Sequence, residues 1–216
     1  TATAADLNPF RRITRKLKDD LDLALEGEKE IFLLVASSKY KIPNNYKKML
    51  SSSQRNQWIQ AAKEELKAFK EFDVFKVVKA KDVKGPIVKG RWVGNVKQEE
   101  KGERFKCRLV AKGFTQEAGQ NYLETFSPVI AIDSIRFLFS LCAINGWYMQ
   151  QMDAKNAFLN GKLKYQIYFK PPEGCNAKND EVWLLKKAMY GLKNAPLIFY
   201  QTFTDVLKKN KFEISQ

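Results

Sequence analysis

Two stretches of this chain alternate with a period of two, and that alternation constrains the fold more than any other feature. In Arg104-Phe-Lys-Cys-Arg-Leu109 the cations Arg104, Lys106 and Arg108 alternate with Phe105, Cys107 and Leu109. Farther on, Leu163, Tyr165, Ile167 and Phe169 alternate with Lys162, Lys164, Gln166, Tyr168 and Lys170. Successive side chains of a strand point to opposite faces, so each stretch reads as a strand with one apolar and one cationic face. A sheet-containing fold follows, and it must bury one face of each ribbon. From Lys84 to Lys112 there are nine Lys and Arg against three Glu. That ribbon suits a phosphate clamp, or equally a solvated edge kept apart by charge.

The rest of the chain supplies helices. Trp58, Ala62, Leu66, Phe69 and Phe72 recur at helical spacing, after Ser51-Ser-Ser53 as N-cap candidates. Asp73-Val-Phe-Lys-Val-Val78 reads as a strand. Arg91–Lys97 and Arg104–Lys112 form a β-hairpin across a polar, Gly-containing link. Asp133 or Ser134 is expected to cap a helix carrying Ile135, Leu138, Phe139 and Cys142 on its apolar side, stopped by Asn145-Gly146. Trp147-Tyr-Met-Gln-Gln-Met-Asp153 reads as a buried strand ending on a carboxylate. A helical turn over Ala154–Leu159 and a tight Asn160-Gly161 turn follow. Val182–Lys186 is a strand, Gly191 a tight connection, and Pro196 opens a helix with Phe199, Phe203 and Val206 on one side. This order predicts an α+β fold with a split βαβ, ferredoxin-like core.

Composition excludes several classes. The 216 residues suffice for one sizeable domain, and 44% hydrophobic residues exclude a disordered chain. No apolar run reaches the roughly 18 residues of a membrane span. A net charge of +14 calls for an anionic partner, nucleic acid before an acidic membrane surface. The chain has no His, which excludes Ser-His-Asp and Cys-His nucleophiles and His-containing zinc sites. Chemistry is left to carboxylates, Lys, Arg, Tyr, or a metal held by oxygen. Cys107, Cys142 and Cys175 have no metal-ligand spacing and suggest a reducing compartment. The start, Thr1-Ala-Thr-Ala-Ala, lacks a Met and a signal-peptide pattern, as expected of a processed chain or a fragment. Residues 1–42 read as a charged, partly disordered lead-in. Its run Arg11–Lys18 fits a nuclear-localisation or nucleic-acid patch, or a solvated face, and Ile31–Val35 fits a docking strand or helix.

Asp153 carries the most chemical information. A carboxylate at the end of a buried strand needs an Arg, a helix N-terminus or a divalent cation. Its surroundings, Gln151-Met-Asp-Ala-Lys-Asn-Ala-Phe-Leu-Asn-Gly161, resemble the first catalytic motif of reverse transcriptases from copia-type LTR retrotransposons. Further segments are similar to that family in its order. They are Arg104-Phe-Lys-Cys-Arg-Leu-Val-Ala-Lys-Gly-Phe-Thr-Gln116, Tyr122-Leu-Glu-Thr-Phe-Ser-Pro-Val129, Ile135-Arg136, Ile167-Tyr168, Pro172-Glu-Gly174 and Leu185-Lys-Lys-Ala-Met-Tyr-Gly-Leu-Lys-Asn-Ala-Pro196. Trp58 with Glu64, Glu65 and Leu66, then Val74 and Phe75, resembles its lead-in helix. The resemblance covers 43–216.

The resemblance implies fingers and an incomplete palm of a polymerase. Asp153 would be the first metal-binding aspartate of a two-Mg²⁺ (or Mn²⁺) site, with the backbone carbonyl of Ala154 as a further ligand. Asn156, Ala157 and Phe158 would border the deoxynucleotide, Phe158 as the steric gate against a 2′-hydroxyl. Lys106 and Arg108, or Lys112 in another register, would hold the triphosphate. Tyr190, Gly191 and Lys193 would lie near nucleotide and template. The implied partners are an RNA template, a DNA primer, dNTPs and the remaining Pol segments, without a membrane. The implied location is cytoplasmic, within a virus-like particle, with nuclear entry open. The family's second motif, Tyr-x-Asp-Asp, does not occur; the only Asp-Asp is Asp19-Asp20. One aspartate cannot hold two Mg²⁺ roughly 4 Å apart. The expectation is a truncated, inactive polymerase segment; the alternatives are a non-catalytic basic nucleic-acid-binding fragment or a relic of a decayed element.

Overall fold

The structure, a computed structural model, describes residues 40–99 and 102–213. The readings of Arg11–Lys18 and Ile31–Val35 lie outside them. The described residues fall into two compact units, 40–42 with 95–99 and 102–104, and 43–94 with 105–213.

In the larger unit, two helices precede the first strand: α1 (Tyr46–Leu50) and α2 (Arg55–Glu71). Asn45 caps α1, its Oδ1 accepting from Lys48 N–H at 2.8 Å. The serines do not cap α2 through its helical N–H groups. Its N-cap is Gln54, whose side chain makes no capping bond, and Ser52 Oγ accepts the Gln54 N–H at 3.2 Å instead. Of the expected stripe, Trp58, Ala62 and Phe69 are buried and Leu66 and Phe72 half-buried; Ala61 is buried beside them.

A four-stranded sheet runs in the order β1-β6-β5-β2, with β1 (Phe75–Lys79), β2 (Ile87–Val88), β5 (Lys162–Phe169) and β6 (Glu181–Lys187). β6 is antiparallel to both β1 and β5, and β2 is parallel to β5. Phe69, Phe75 and Phe169 gather on Trp183, with Phe75 stacked on it at 3.8 Å between centroids. Aromatic rings bury the largest area per residue, so this cluster anchors the sheet against α2. Toward its end β5 departs from strict alternation, because Tyr168 joins Ile167 and Phe169 in the interior. Its hydroxyl donates to Gln166 Oε1 at 3.3 Å.

The predicted hairpin forms from β3 (Gly90–Glu99) and β4 (Gly102–Ala111). On β4, Cys107, Leu109 and Ala111 are buried while Lys106 and Arg108 are half-exposed, as the period of two requires. α4 (Ala195–Lys209) follows a Gly191 turn with Pro196 in its first turn.

The region between β4 and β5 departs from expectation. α3 (Ile132–Asn145) forms and stops at left-handed Gly146 (φ 63°), but its N-cap is Ala131, with neither Asp133 nor Ser134 capping it. None of its residues is buried, so its apolar side meets no core among the described residues. Trp147–Asp153 forms no strand. A strand exists only where a neighbour completes its ladder, and no described strand pairs with this segment. The βαβ arrangement that would use it is therefore not formed among the described residues.

Candidate nucleotide and nucleic-acid site

The site is built where the end of β4 meets the turn after β6. Ala111 N–H donates to Tyr190 O at 2.7 Å, fixing that turn to the strand. Gly191 takes φ +86°, and a Cβ there would strike the Ala111 carbonyl; only glycine satisfies both conditions. Gly113 is buried against the Gly191 carbonyl for the same steric reason. The following residue but one, Lys193, is held at both ends. Its N–H donates to Gln116 Oε1 at 2.7 Å, and its Nζ to Tyr122 Oη at 3.0 Å and Gln116 O at 3.4 Å.

Arg108 stands beside this turn. Its guanidinium lies over the Tyr190 ring, 5.0 Å from the centroid, and its Nη1 donates to Glu65 Oε2 at 2.9 Å. The Tyr190 ring in turn meets Phe158 edge-on at 4.9 Å, and Phe158 meets Phe199 of α4 at 6.3 Å. Phe158 lies in a short 3₁₀ turn, Ala157–Asn160, entered through Asn156 in the left-handed region (φ 52°). Asn is among the few non-glycine residues tolerant of that conformation. Asn160 Nδ2 donates to Asn156 O at 3.2 Å, and Leu159 anchors the turn in the core. The structure thus joins Arg108, Tyr190 and Phe158 in one line of contacts, with Ala157 and Gly191 adjacent in sequence. Lys106 is half-buried on β4, and its charge acts on Glu65.

Asp153 and Ala154 are not brought into that line. Both are exposed on the loop leading to the turn. The expectation of a buried Asp153 fails because its strand does not form; an exposed carboxylate is solvated and requires no partner. Among the described residues no three His, Cys, Asp or Glu side chains gather as a metal site would require. Asp153 alone does not fit two divalent ions.

Glu65 is the site residue whose role the sequence left unread. It is 4% exposed, and burial raises its carboxyl above the ordinary value, opposed by the neighbouring Arg108 charge and the Leu109 N–H. The signal was present: Glu65 interrupts the stripe of Trp58, Ala62 and Phe69, and a lone carboxylate on a buried helix face must be paired.

Beside Gly191 opens a cleft of ≈ 880 Å³. Lys89, Arg91, Lys112 and Lys170 line it with Trp92 and Phe114, and Glu173 is its acidic member. Trp92 is buried, its Nε1 donating to Glu173 O at 3.2 Å, whereas Phe114 is 78% exposed. Cations beside an exposed ring are a suitable surface for a single nucleic-acid strand.

A cationic cleft thus opens beside a braced turn and a line of aromatic contacts. The family model for reverse transcriptase (RNA-dependent DNA polymerase) matches residues 72–216. The chain belongs to that family. Its relatives are Pol polyproteins of copia-type elements. It is 37% identical over 174 residues to the Retrovirus-related Pol polyprotein from transposon TNT 1-94 of Nicotiana tabacum, covering 79% of this chain and 13% of that protein. It is 44% identical over 118 residues to the Retrovirus-related Pol polyprotein from transposon RE2 of Arabidopsis thaliana, covering 53% and 8%. Against the Transposon Ty1-ER2 Gag-Pol polyprotein of Saccharomyces cerevisiae it is 30% identical over 109 residues, covering 48% and 6%. The chain thus spans a small part of these relatives' length. No solved structure matches it.

Proposed function

We propose that this chain supplies the fingers and the nucleotide-facing part of the palm to an RNA-directed DNA polymerase. The observation that carries this reading is the contact line Arg108–Tyr190–Phe158. It sets a cation suited to a triphosphate near an aromatic ring suited to exclude a 2′-hydroxyl. Arg108 binds phosphate oxygens through its planar fork of donors. Phe158, supported at its edges by Tyr190 and Phe199, presents a fixed wall to the sugar. Gly191 and the cleft of Lys89, Arg91, Lys112 and Lys170 receive the template strand, with Phe114 as a stacking ring. Phosphoryl transfer depends mainly on such positioning and charge stabilisation.

The divalent ions of that chemistry need more carboxylates than Asp153. The Tyr-x-Asp-Asp motif is not among these residues, so the chain alone is expected to bind without polymerising. Primer extension on an RNA template by this chain with Mg²⁺, abolished by Asp153→Asn, would overturn that expectation. The reading itself is tested by nucleotide selection. The chain should bind dTTP more tightly than the corresponding ribonucleotide, and Phe158→Ala should remove the preference. Equal affinities in the parent chain would sink the gate. A second reading, a basic segment that holds nucleic acid without nucleotide, is favoured by the cationic cleft, beside which no metal-holding group of carboxylates gathers among the described residues. It predicts steeply salt-dependent binding to an RNA–DNA duplex and no dNTP binding.

A further inference from the structure

We propose that Glu65 is a positioning residue for nucleotide binding: from α2 it fixes the Arg108 guanidinium against the Tyr190 ring, leaving its free donors aimed at a triphosphate. The proposal rests on the reading of Arg108 as part of the nucleotide site.

Both oxygens of Glu65 are used, and on consecutive residues of one strand. Oε2 accepts from the Arg108 side chain at 2.9 Å and Oε1 from the Leu109 backbone N–H at 3.2 Å. A single buried carboxylate therefore holds both the side chain and the backbone of β4. The Arg108 side chain remains 25% exposed, against 3% for its partner, so part of it stays open to solvent while the carboxylate does not. Arg has five N–H donors in a rigid fork, and pairing one nitrogen with Glu65 leaves others for a ligand.

The second support comes from Tyr190, whose backbone carbonyl is bonded to Ala111 of the same strand. Glu65 on one side and the Tyr190 ring on the other restrict a long side chain that would otherwise sample many rotamers. A residue ordered before its ligand arrives loses less freedom on binding. Tyr190 also touches Phe158, so the same brace relates the phosphate-binding cation to the sugar gate. A carboxylate that only neutralised Arg108, or only held α2 on β4, would have the opposite or no effect on affinity for an anion.

The test is calorimetric titration of the 216-residue chain with dTTP and Mg²⁺, and with inorganic tripolyphosphate as a base-free probe. Arg108→Ala should weaken dTTP binding by about tenfold or more, the size expected for a lost charge-assisted bond. Glu65→Gln, which keeps shape and removes charge, should weaken it by roughly three- to tenfold, and the double variant should be no weaker than Arg108→Ala alone. Glu65→Asp keeps the charge but withdraws it by one methylene, and should also weaken binding by about threefold through the same misplacement. If Glu65→Gln does not fold, Glu65→Asp decides alone. Binding as tight as the parent chain in either folded Glu65 variant, with Arg108→Ala impaired, overturns the proposal and leaves the nucleotide reading intact. Parent-like binding by Arg108→Ala, or none by the parent chain, overturns the nucleotide reading and the proposal together.

Discussion

Two of the described helices, α2 and α3, carry apolar side chains to opposite fates. α2 carries its stripe into a core with β4 and β6: Trp58 is fully buried, meeting Phe105 edge-on at 4.9 Å, and Phe69 lies near Trp183. α3 is richer in apolar residues by sequence, yet Phe137 is 62% exposed. The segment after it continues the pattern, with Trp147, Tyr148, Met149 and Met152 all exposed. Hydrophobic content sets how much stabilisation burial offers; whether it is realised depends on a facing surface. α2 has one in the aromatic cluster on Trp183. α3 has none among the described residues, so its apolar side chains stay exposed.

The largest expected contrast is in stability. Trp58→Ala should cost about 3–5 kcal/mol by urea denaturation, as large-to-small core changes do. Phe137→Ala should stay within about 0.5 kcal/mol, as exposed positions do. Equal losses at the two sites would erase the distinction between the helices.

A second contrast uses two left-handed glycines. Gly191→Ala adds both strain and a clash with the Ala111 carbonyl, and should destabilise by about 1–3 kcal/mol. Gly146, ending α3 at φ 63°, has open space around its Cβ position, so Gly146→Ala should cost only the conformational strain, about 1 kcal/mol. Thermal melts of the two variants measure the difference; a larger loss at Gly146 would show that the α3 end is packed after all.

The cysteines sharpen the comparison chemically. Cys107 is 2% exposed on β4, and burial, reinforced by the Glu65 charge, pushes its thiol up to about 12. Cys142 on α3 is half-exposed. Iodoacetamide at pH 8 should label Cys142 faster than Cys107, by about tenfold or more, because the thiolate is the reactive form. Peptide mass analysis over time reads the order, and faster labelling of Cys107 would break it. The raised value also has a sign: below about 9 its contribution to stability is complete, and it is lost as pH rises toward about 12.

The smallest effect belongs to the exposed ion pairs flanking the sheet. Lys186 meets both Asp73 oxygens, and Lys79 meets Asp180 at 2.7 Å. Lys186→Ala should shift stability by about 0–1 kcal/mol, less at high salt. A shift comparable to Trp58→Ala would mean that the sheet depends on charge more than on its aromatic core.

Much of the fold was legible locally. The alternation of Phe105 to Leu109 and of Leu163 to Phe169 placed β4 and β5, and Asn145-Gly146 and Pro196 placed helix boundaries. These features depend on neighbours within a few residues, where backbone geometry is decided. The N-caps are Gln54 and Ala131 and not Ser51–Ser53 and Asp133 or Ser134, because any short polar residue near a helix start fits equally well by sequence. Trp147–Asp153 was misread for a different reason. Its composition suits a strand, but a ladder needs a second chain segment, and composition does not state whether one is present.

By itself, the sequence determined the charge, the absence of histidine chemistry, the strand faces, and the ordered motifs that place the chain among copia-type reverse transcriptases. The tertiary structure decided which of those residues touch. It joined Arg108 of β4, Tyr190 of the turn after β6 and Phe158 of the turn before β5, and it assigned Glu65 of α2 to hold the first of them. Those positions span more than a hundred residues of chain. Their meeting depends on how α2 packs on β4 and how the Gly191 turn closes on Ala111, and a local pattern carries no distance between residues so far apart.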